Sequence, residues 1–262
     1  MGLGQLGCVF AEGVLRLGRG VVPVVRGQSI ALACQEAPEA AGVWLTVGEN
    51  DLHEVLSQVP SSHLDRVALV QNELRPDQWA FRYARERMPS VAVVWFEKKA
   101  NRLPQIVQPT PVFGRGAGLL VAALSKLGLE PKTPENPLDK AELHFQLALK
   151  NLYILGLNLT GLMVGGTAGE LLEKHKKLFD ALVAELLQLE DALLTDAGYP
   201  GLLARSAGLQ AALLAAIEAD PSHGCAGRSA PQRLKRSAYH AKRLGLSLPI
   251  LEKLAEANHA AF

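Results

Sequence analysis

MGLGQLGCVFAEGVLRLG, residues 1–18, opens the chain, and the spacing of its glycines governs how the rest is read. Gly2, Gly4 and Gly7 fall in a G-x-G-x-x-G pattern with Gln5 and Leu6 inside it, and Phe10, Val14 and Leu17 follow at helical intervals. A glycine turn that opens a helix suits a dinucleotide. The first glycine permits the tight turn and the second lets backbone approach the pyrophosphate. The third lets the helix pack closely while its positive end faces phosphate. Gly2, Gly4, Gln5, Leu6 and Gly7 are therefore candidate cofactor-binding residues. The competing reading is a loose start that happens to be rich in glycine.

Working outward, VVPVV at 21–25 is a β-branched run of strand type that ends at Arg26. Arg26 stands where such a site places the residue that reads the ribose. Arginine there favours a 2′-phosphate, so the expected cofactor is NADP(H) rather than NAD. In this kind of sheet a central strand leads into the glycine turn, and no such run precedes Gly2 here. Either an in-frame strand lies upstream of Met1, or the sheet is rebuilt without it.

GVWLTVG (42–48), RVALVQ (66–71) and SVAVVWF (90–96) are continuous apolar runs, as expected of strands covered on both faces. NDLHEVLSQVP (50–60) and PDQWAFRYARERMP (76–89) read as helices between them. Strands alternating with helices predict a parallel α/β sheet. From residue 136 onward the patterns are helical, and EPKTPENP (130–137) reads as the linker. The predicted fold is an α/β, Rossmann-like NADP-binding domain over 1–135, its first strand missing, followed by an all-α domain over 136–262.

Composition narrows the function classes. A formal charge of +1 with 48% hydrophobic residues gives no global field to attract nucleic acid or an anionic membrane. LYILGLNLTGLMVGG (152–166) is too short to span a bilayer. Cys8, Cys34 and Cys225 are scattered and odd in number, which argues against a disulfide framework. The histidines show no ligand spacing, so no metal is expected. With no secretory signal pattern, a cytoplasmic protein acting on a small molecule is the expectation. The leucines of 174–194 are assigned to core or homodimer packing.

Lys150 sits inside an apolar helical pattern, either snorkelling to water or partly desolvated as a proton donor. Lys150, Asn158 and Thr160 in NLTGL, and GEL at 169–171, together resemble the start of the C-terminal domain of the ketopantoate reductases. VQNELRP (70–76), the glycine loop and AKRLGLSLP (241–249) are similar to further family segments. The resemblance implies NADPH-dependent reduction of a 2-keto acid, or of a related carbonyl compound, in a cleft between the two domains. Lys150 would stabilise and protonate the carbonyl oxygen, with Asn158 and Asn72 orienting substrate and nicotinamide. In the loop DPSHGCAGRSAPQRLKR (220–236), Ser222, His223 and Arg228 are candidate substrate-binding residues, against a solvated basic face as the alternative. The chain departs from the family pattern at Gly48 and Glu49, Ile154, Leu159 and Ser229, where the family has a lysine, an asparagine, a proline and a glutamate. These departures point to a different substrate from ketopantoate. The alternatives are a catalytically silent nucleotide-binding relative, or a dehydrogenase of the β-hydroxyacid or imine reductase kind.

Overall fold

The computed structural model describes residues 2, 4–84, 86–98 and 102–258. The chain divides into two units, Met1–Gln146 and Leu147–Phe262. In the first unit α1 (Gln5–Arg16) starts from Gly4 and buries Val9, Phe10 and Val14 on one face. Phe10 meets Trp44 edge-on at 5.7 Å and Phe96 at 6.4 Å between ring centroids. Burying one such ring contributes about 2–3 kcal/mol. Next come α2 (Ile30–Glu36), capped by Ser29, β1 (Val43–Leu45), α3 (Leu52–Ser57), β2 (Val67–Leu69) and α4 (Asp77–Ala80). The unit continues with β3 (Ser90–Ala92), β4 (Phe96–Glu97), β5 (Gln105–Ile106), β6 (Thr110–Phe113), α5 (Ala117–Ser125) and β7 (Pro131–Lys132).

The main sheet has the order β1-β2-β3-β6-β7. β1, β2 and β3 are parallel, in register Trp44 to Ala68 and Leu69 to Val91. β6 is antiparallel to β3, pairing Val91 with Phe113, so the sheet is mixed rather than parallel throughout. The antiparallel β4–β5 pair reverses the chain before β6, which brings β6 back beside β3.

Two local expectations fail. Residues 21–25 form no strand, and Val22 and Val25 are exposed. A strand needs a neighbour for its ladder, and Pro23 has no N–H to give. The helix expected over 76–89 closes after Ala80. Beyond it the Tyr83 hydroxyl donates to Leu64 O at 2.8 Å, and the Arg82 guanidinium donates to Ser57 O and Val59 O. These tertiary bonds hold the backbone off the helical path.

Asp139 caps α6 (Lys140–Val164), its carboxylate accepting from Glu142 N at 3.0 Å. The division between units falls inside this helix, while the proline-rich 130–137 stretch lies in the first unit and carries β7. α6 is long and apolar enough to cross a membrane by length and composition, yet 83% of its apolar window is buried, so it is a core helix. Then follow α7 (Ala168–Lys174), α8 (Lys176–Asp196), α9 (Ser206–Ala219), α10 (Ala230–Arg243) and α11 (Pro249–Ala257). Phe179, Leu182, Leu186 and Leu193 line the buried face of α8, so the leucines of 174–194 serve the core. The buried Glu185 carboxylate accepts from Ile250 N and Leu251 N, both at 2.9 Å, and so caps α11. Among the described residues this unit has one isolated β-bridge, Thr167 to Gly224, and no strand.

Candidate active site

The first cluster lies at the carboxyl ends of β1 and β2, where an open α/β sheet binds its ligands. Gly2 O accepts from Thr46 Oγ1 at 2.7 Å, which ties the glycine turn to the residue after β1. A Cβ on Gly7 would lie 1.7 Å from Gly2 O and 2.8 Å from Thr46 Oγ1, so only glycine permits this approach. Gly4 is the N-cap of α1, faces open space, and caps the helix with no side chain. The first turn of α1 carries no acidic residue, so the positive end of the helix dipole favours an anion there.

Gln71, just past β2, closes the cluster by donating from Nε2 to Leu45 O at 2.8 Å and Val47 O at 3.2 Å. Asn72 follows it, half-buried, with no hydrogen bond to its side chain among the described residues. Arg26 is almost fully exposed and stands 3.7 Å from Asp51. At that exposure the pair is weak and yields readily to a phosphate. The turn, Asn72 and Arg26 thus present donors of the kind a dinucleotide needs. Thr46 and Gln71, which tie this cluster together, are positions the sequence reading missed. Each is an ordinary polar residue at a strand end, and only the tertiary contact reveals it.

The second cluster is built on α6. Lys150 is 8% exposed, so it is buried rather than snorkelling. Its Nζ stands 5.4 Å from the centroid of the Tyr153 ring, one turn further on, a cation–π distance. Tyr153 in turn lies 6.0 Å from the His223 ring. His223 Nδ1 is 3.6 Å from Asp220 Oδ2, while the Ser222 hydroxyl donates to Asp220 Oδ1 at 2.9 Å. Lys150, Ser222 and His223 are therefore joined through Tyr153 and Asp220, two residues that the sequence did not single out. The i, i+3 spacing of Lys150 and Tyr153 was the available signal.

The loop 220–229 is held against α6 and α7 by backbone bonds, Ala168 N to His223 O, Gly169 N to Pro221 O and Cys225 N to Gly166 O. Gly161 makes the crossing possible, because a Cβ there would meet Ala226 N at 2.5 Å. Asn158 is the clamp. Its Oδ1 accepts from Gly227 N and from Arg233 Nη1, both at 3.1 Å, and its Nδ2 donates to Ile154 O at 2.8 Å. Three of its four hydrogen-bonding positions are thus committed within the protein. Glu170 completes a capping box with Thr167, and that backbone bond, then Lys174, holds its carboxyl below the usual carboxylate range. Burial, and then the Glu170 charge, push the Cys225 thiol up, so it is not primed as a nucleophile. Arg228 is exposed, with no hydrogen bond or ion pair to its side chain among the described residues. Ser229 is the N-cap residue of α10, and Arg233 one turn later supplies the charge that reaches Asn158. No group of three or more metal-ligating side chains occurs among the described residues.

Comparison with known proteins gives structures but no sequence relatives: no protein-family model matches the chain, and no curated protein does. A PanE/ApbA family ketopantoate reductase from Ralstonia eutropha superposes with a TM-score of 0.65 at 16% identity, covering 99% of this chain and 96% of that one. A 2-dehydropantoate 2-reductase from Geobacter metallireducens gives 0.63 at 14%, covering 100% and 98%. D-Mandelate dehydrogenase, in a ternary structure with NADH and anilino(oxo)acetate, gives 0.63 at 13%, covering 99% and 96%. Over essentially its whole length, the chain has the fold of the ketopantoate reductases.

Proposed function

We propose that this protein is an NADPH-dependent reductase of a small 2-keto acid or related carbonyl compound. The observation that carries the reading is Lys150, an amine buried on the core helix against Tyr153 and joined through it to the 220–229 loop. The shared fold supports it, since proteins so built include ketopantoate reductases and a D-mandelate dehydrogenase whose structure holds NADH and an oxo acid analogue. The glycine turn fits the cofactor: Gly7 permits the close backbone approach, and the first turn of α1 carries no acidic residue to oppose a phosphate. When bound, NADPH supplies the hydride to the carbonyl carbon.

The chain's own residues do the rest. Gly2, Gly4, Gln5, Leu6 and Gly7 hold the pyrophosphate, Arg26 leaves Asp51 for the 2′-phosphate, and Asn72 orients the nicotinamide amide. Lys150 Nζ faces the carbonyl oxygen, stabilises the charge that develops there and gives it a proton. Ser222, His223 and Arg228 bind the carboxylate end of the substrate. Asn158 acts through the loop it clamps and is a positioning residue. Ile154, apolar where ketopantoate reductases carry an asparagine, and Ser229, uncharged where they carry a glutamate, favour a substrate other than ketopantoate.

The test is a screen of 2-keto acids and cyclic imines against NADPH consumption, repeated with Lys150→Met. Turnover should fall by about 10²–10⁴-fold with NADPH affinity retained. Undiminished turnover removes Lys150 from the mechanism. NADPH binding without turnover of any substrate would favour the silent relative.

A further inference from the structure

α10 packs against α8 and α11 and turns Ala230, Leu234, Ala238 and Ala241 into the core. Its outward face is of another kind. Tyr239 stands there with 62% of its surface exposed. Residues three and four apart are neighbours on a helix surface. The four such neighbours of Tyr239 are Lys235, Arg236, Lys242 and Arg243, every one a cation. A rotation of about 100° per residue places Lys235 and Lys242 on one side of the ring and Arg236 and Arg243 on the other. Lys235 and Lys242 are exposed, with no hydrogen bond or ion pair to their side chains among the described residues. Arg243 meets Asp196 at 2.8 Å, an exposed pair that contributes little and yields to another anion. From Pro221 to Leu251 the chain has six Lys or Arg and no Asp or Glu, so the overall formal charge of +1 hides a concentrated local field.

We propose that this face of α10 binds single-stranded nucleic acid, one base stacking on Tyr239 while the phosphates beside it meet the flanking cations. Chemistry selects the occupant. An unpaired base offers the π face that an exposed ring stacks with, and its backbone offers anions on either side, which is the combination the face presents. A duplex keeps its bases within its own stack and leaves Tyr239 without a partner. An acidic peptide answers the charges alone and leaves the ring unused. An anionic membrane takes up a helix through a free apolar face, and the apolar residues of α10 are committed to the core. Size agrees. From Lys235 to Arg243 the helix rises about 12 Å, the length of about three or four stacked nucleotides at ~3.4 Å each. His240 packs on Tyr239 in a T-shaped contact at 5.4 Å, which restrains the ring without covering it.

This inference does not rest on the reductase reading, and none of its residues belongs to the proposed active site. The full chain is titrated into a fluorescein-labelled oligouridine of about 12 nucleotides and binding is read by anisotropy. The dissociation constant should fall at about 10⁻⁴–10⁻⁶ M at physiological salt. Its logarithmic salt dependence should have a slope of about −1.4 to −2.8, from two to four phosphate contacts at ~0.7 each. Tyr239→Ala should weaken binding by about fivefold to a hundredfold with the slope unchanged, and Tyr239→Phe should bind as wild type does. Lys235→Gln combined with Lys242→Gln should make the slope shallower by about 1.4. All these side chains point outward, so the melting temperature should hold in every variant. Polyglutamate and anionic phospholipid vesicles should compete poorly with the labelled strand. Absence of binding at low salt, or binding by Tyr239→Ala equal to wild type, overturns the proposal. Equal binding of a duplex, or polyglutamate or vesicles competing as well as unlabelled oligouridine, gives the face to another partner and overturns it too.

Discussion

Replacing Asn158 with leucine separates a clamp from a substrate ligand. The change is nearly isosteric and leaves α6 intact, but it removes the acceptor shared by Gly227 N and Arg233 Nη1. The amide bond contributes about 1 kcal/mol and the charge-assisted one about 1.5–3 kcal/mol, taken at its lower end because Arg233 is only partly buried. The lost bond to Ile154 O matters little, since that carbonyl keeps its place in the helix. A destabilisation of about 2–3 kcal/mol lowers the melting temperature by about 4–12 °C for a chain of this size. Calorimetry reads the shift, and hydrogen exchange should show the loss confined first to residues 220–229. In a double-mutant cycle with Arg233→Met, the two changes should couple by about 0.5–1.5 kcal/mol. Melting within about 1 °C of wild type, or strictly additive changes, would refute the clamp.

Other outcomes follow from the same geometry. Gly7→Ala should weaken NADPH binding by about tenfold or more and also lower stability, because its Cβ collides with Gly2 O. Gly4→Ala should weaken binding without lowering the melting temperature, since among the described residues its Cβ meets no atom beyond its chain neighbours within 4 Å; normal titration by that variant would move the pyrophosphate elsewhere. Arg26→Ala should bring NADPH affinity down to that of NADH, and a wild-type protein that binds both equally would remove the 2′-phosphate role. Acid should destabilise the first unit through His144, whose value burial, then the Lys140 charge, lowers from 6.5 to about 4. The unfolded chain binds this proton first, so stability is full above pH 6.5 and falls by about 3 kcal/mol toward pH 4. His144→Leu should flatten that slope in urea titrations, and an unchanged slope would refute it.

Much of the second unit was legible because helices announce themselves locally. The 3.6-residue apolar period of 138–163 and 168–194 depends on neighbours within one turn, and α6 and α8 appear where it runs. The glycine turn was legible for the same reason, as its spacing states a backbone requirement that Gly7 then meets against Gly2. Residues 21–25 had the right composition for a strand and form none, because a strand is completed by a partner distant in sequence. The antiparallel return of β6 was likewise invisible, since direction is set by the β4–β5 turn rather than by the residues that pair.

At the site, the sequence alone determined which residue types were available: an amine in an apolar helix, a glycine turn, a loop with serine, histidine and arginine. Tertiary structure decided what each one touches. It buried Lys150 beside Tyr153, committed Asn158 to the loop, sent Arg233 to Asn158 and left Arg228 in solvent. The physical reason is range. Turn and helix preferences act over a few residues and are written in the local sequence, whereas hydrogen bonds such as those between Asn158 and the loop join positions about seventy residues apart and exist only once the core has folded.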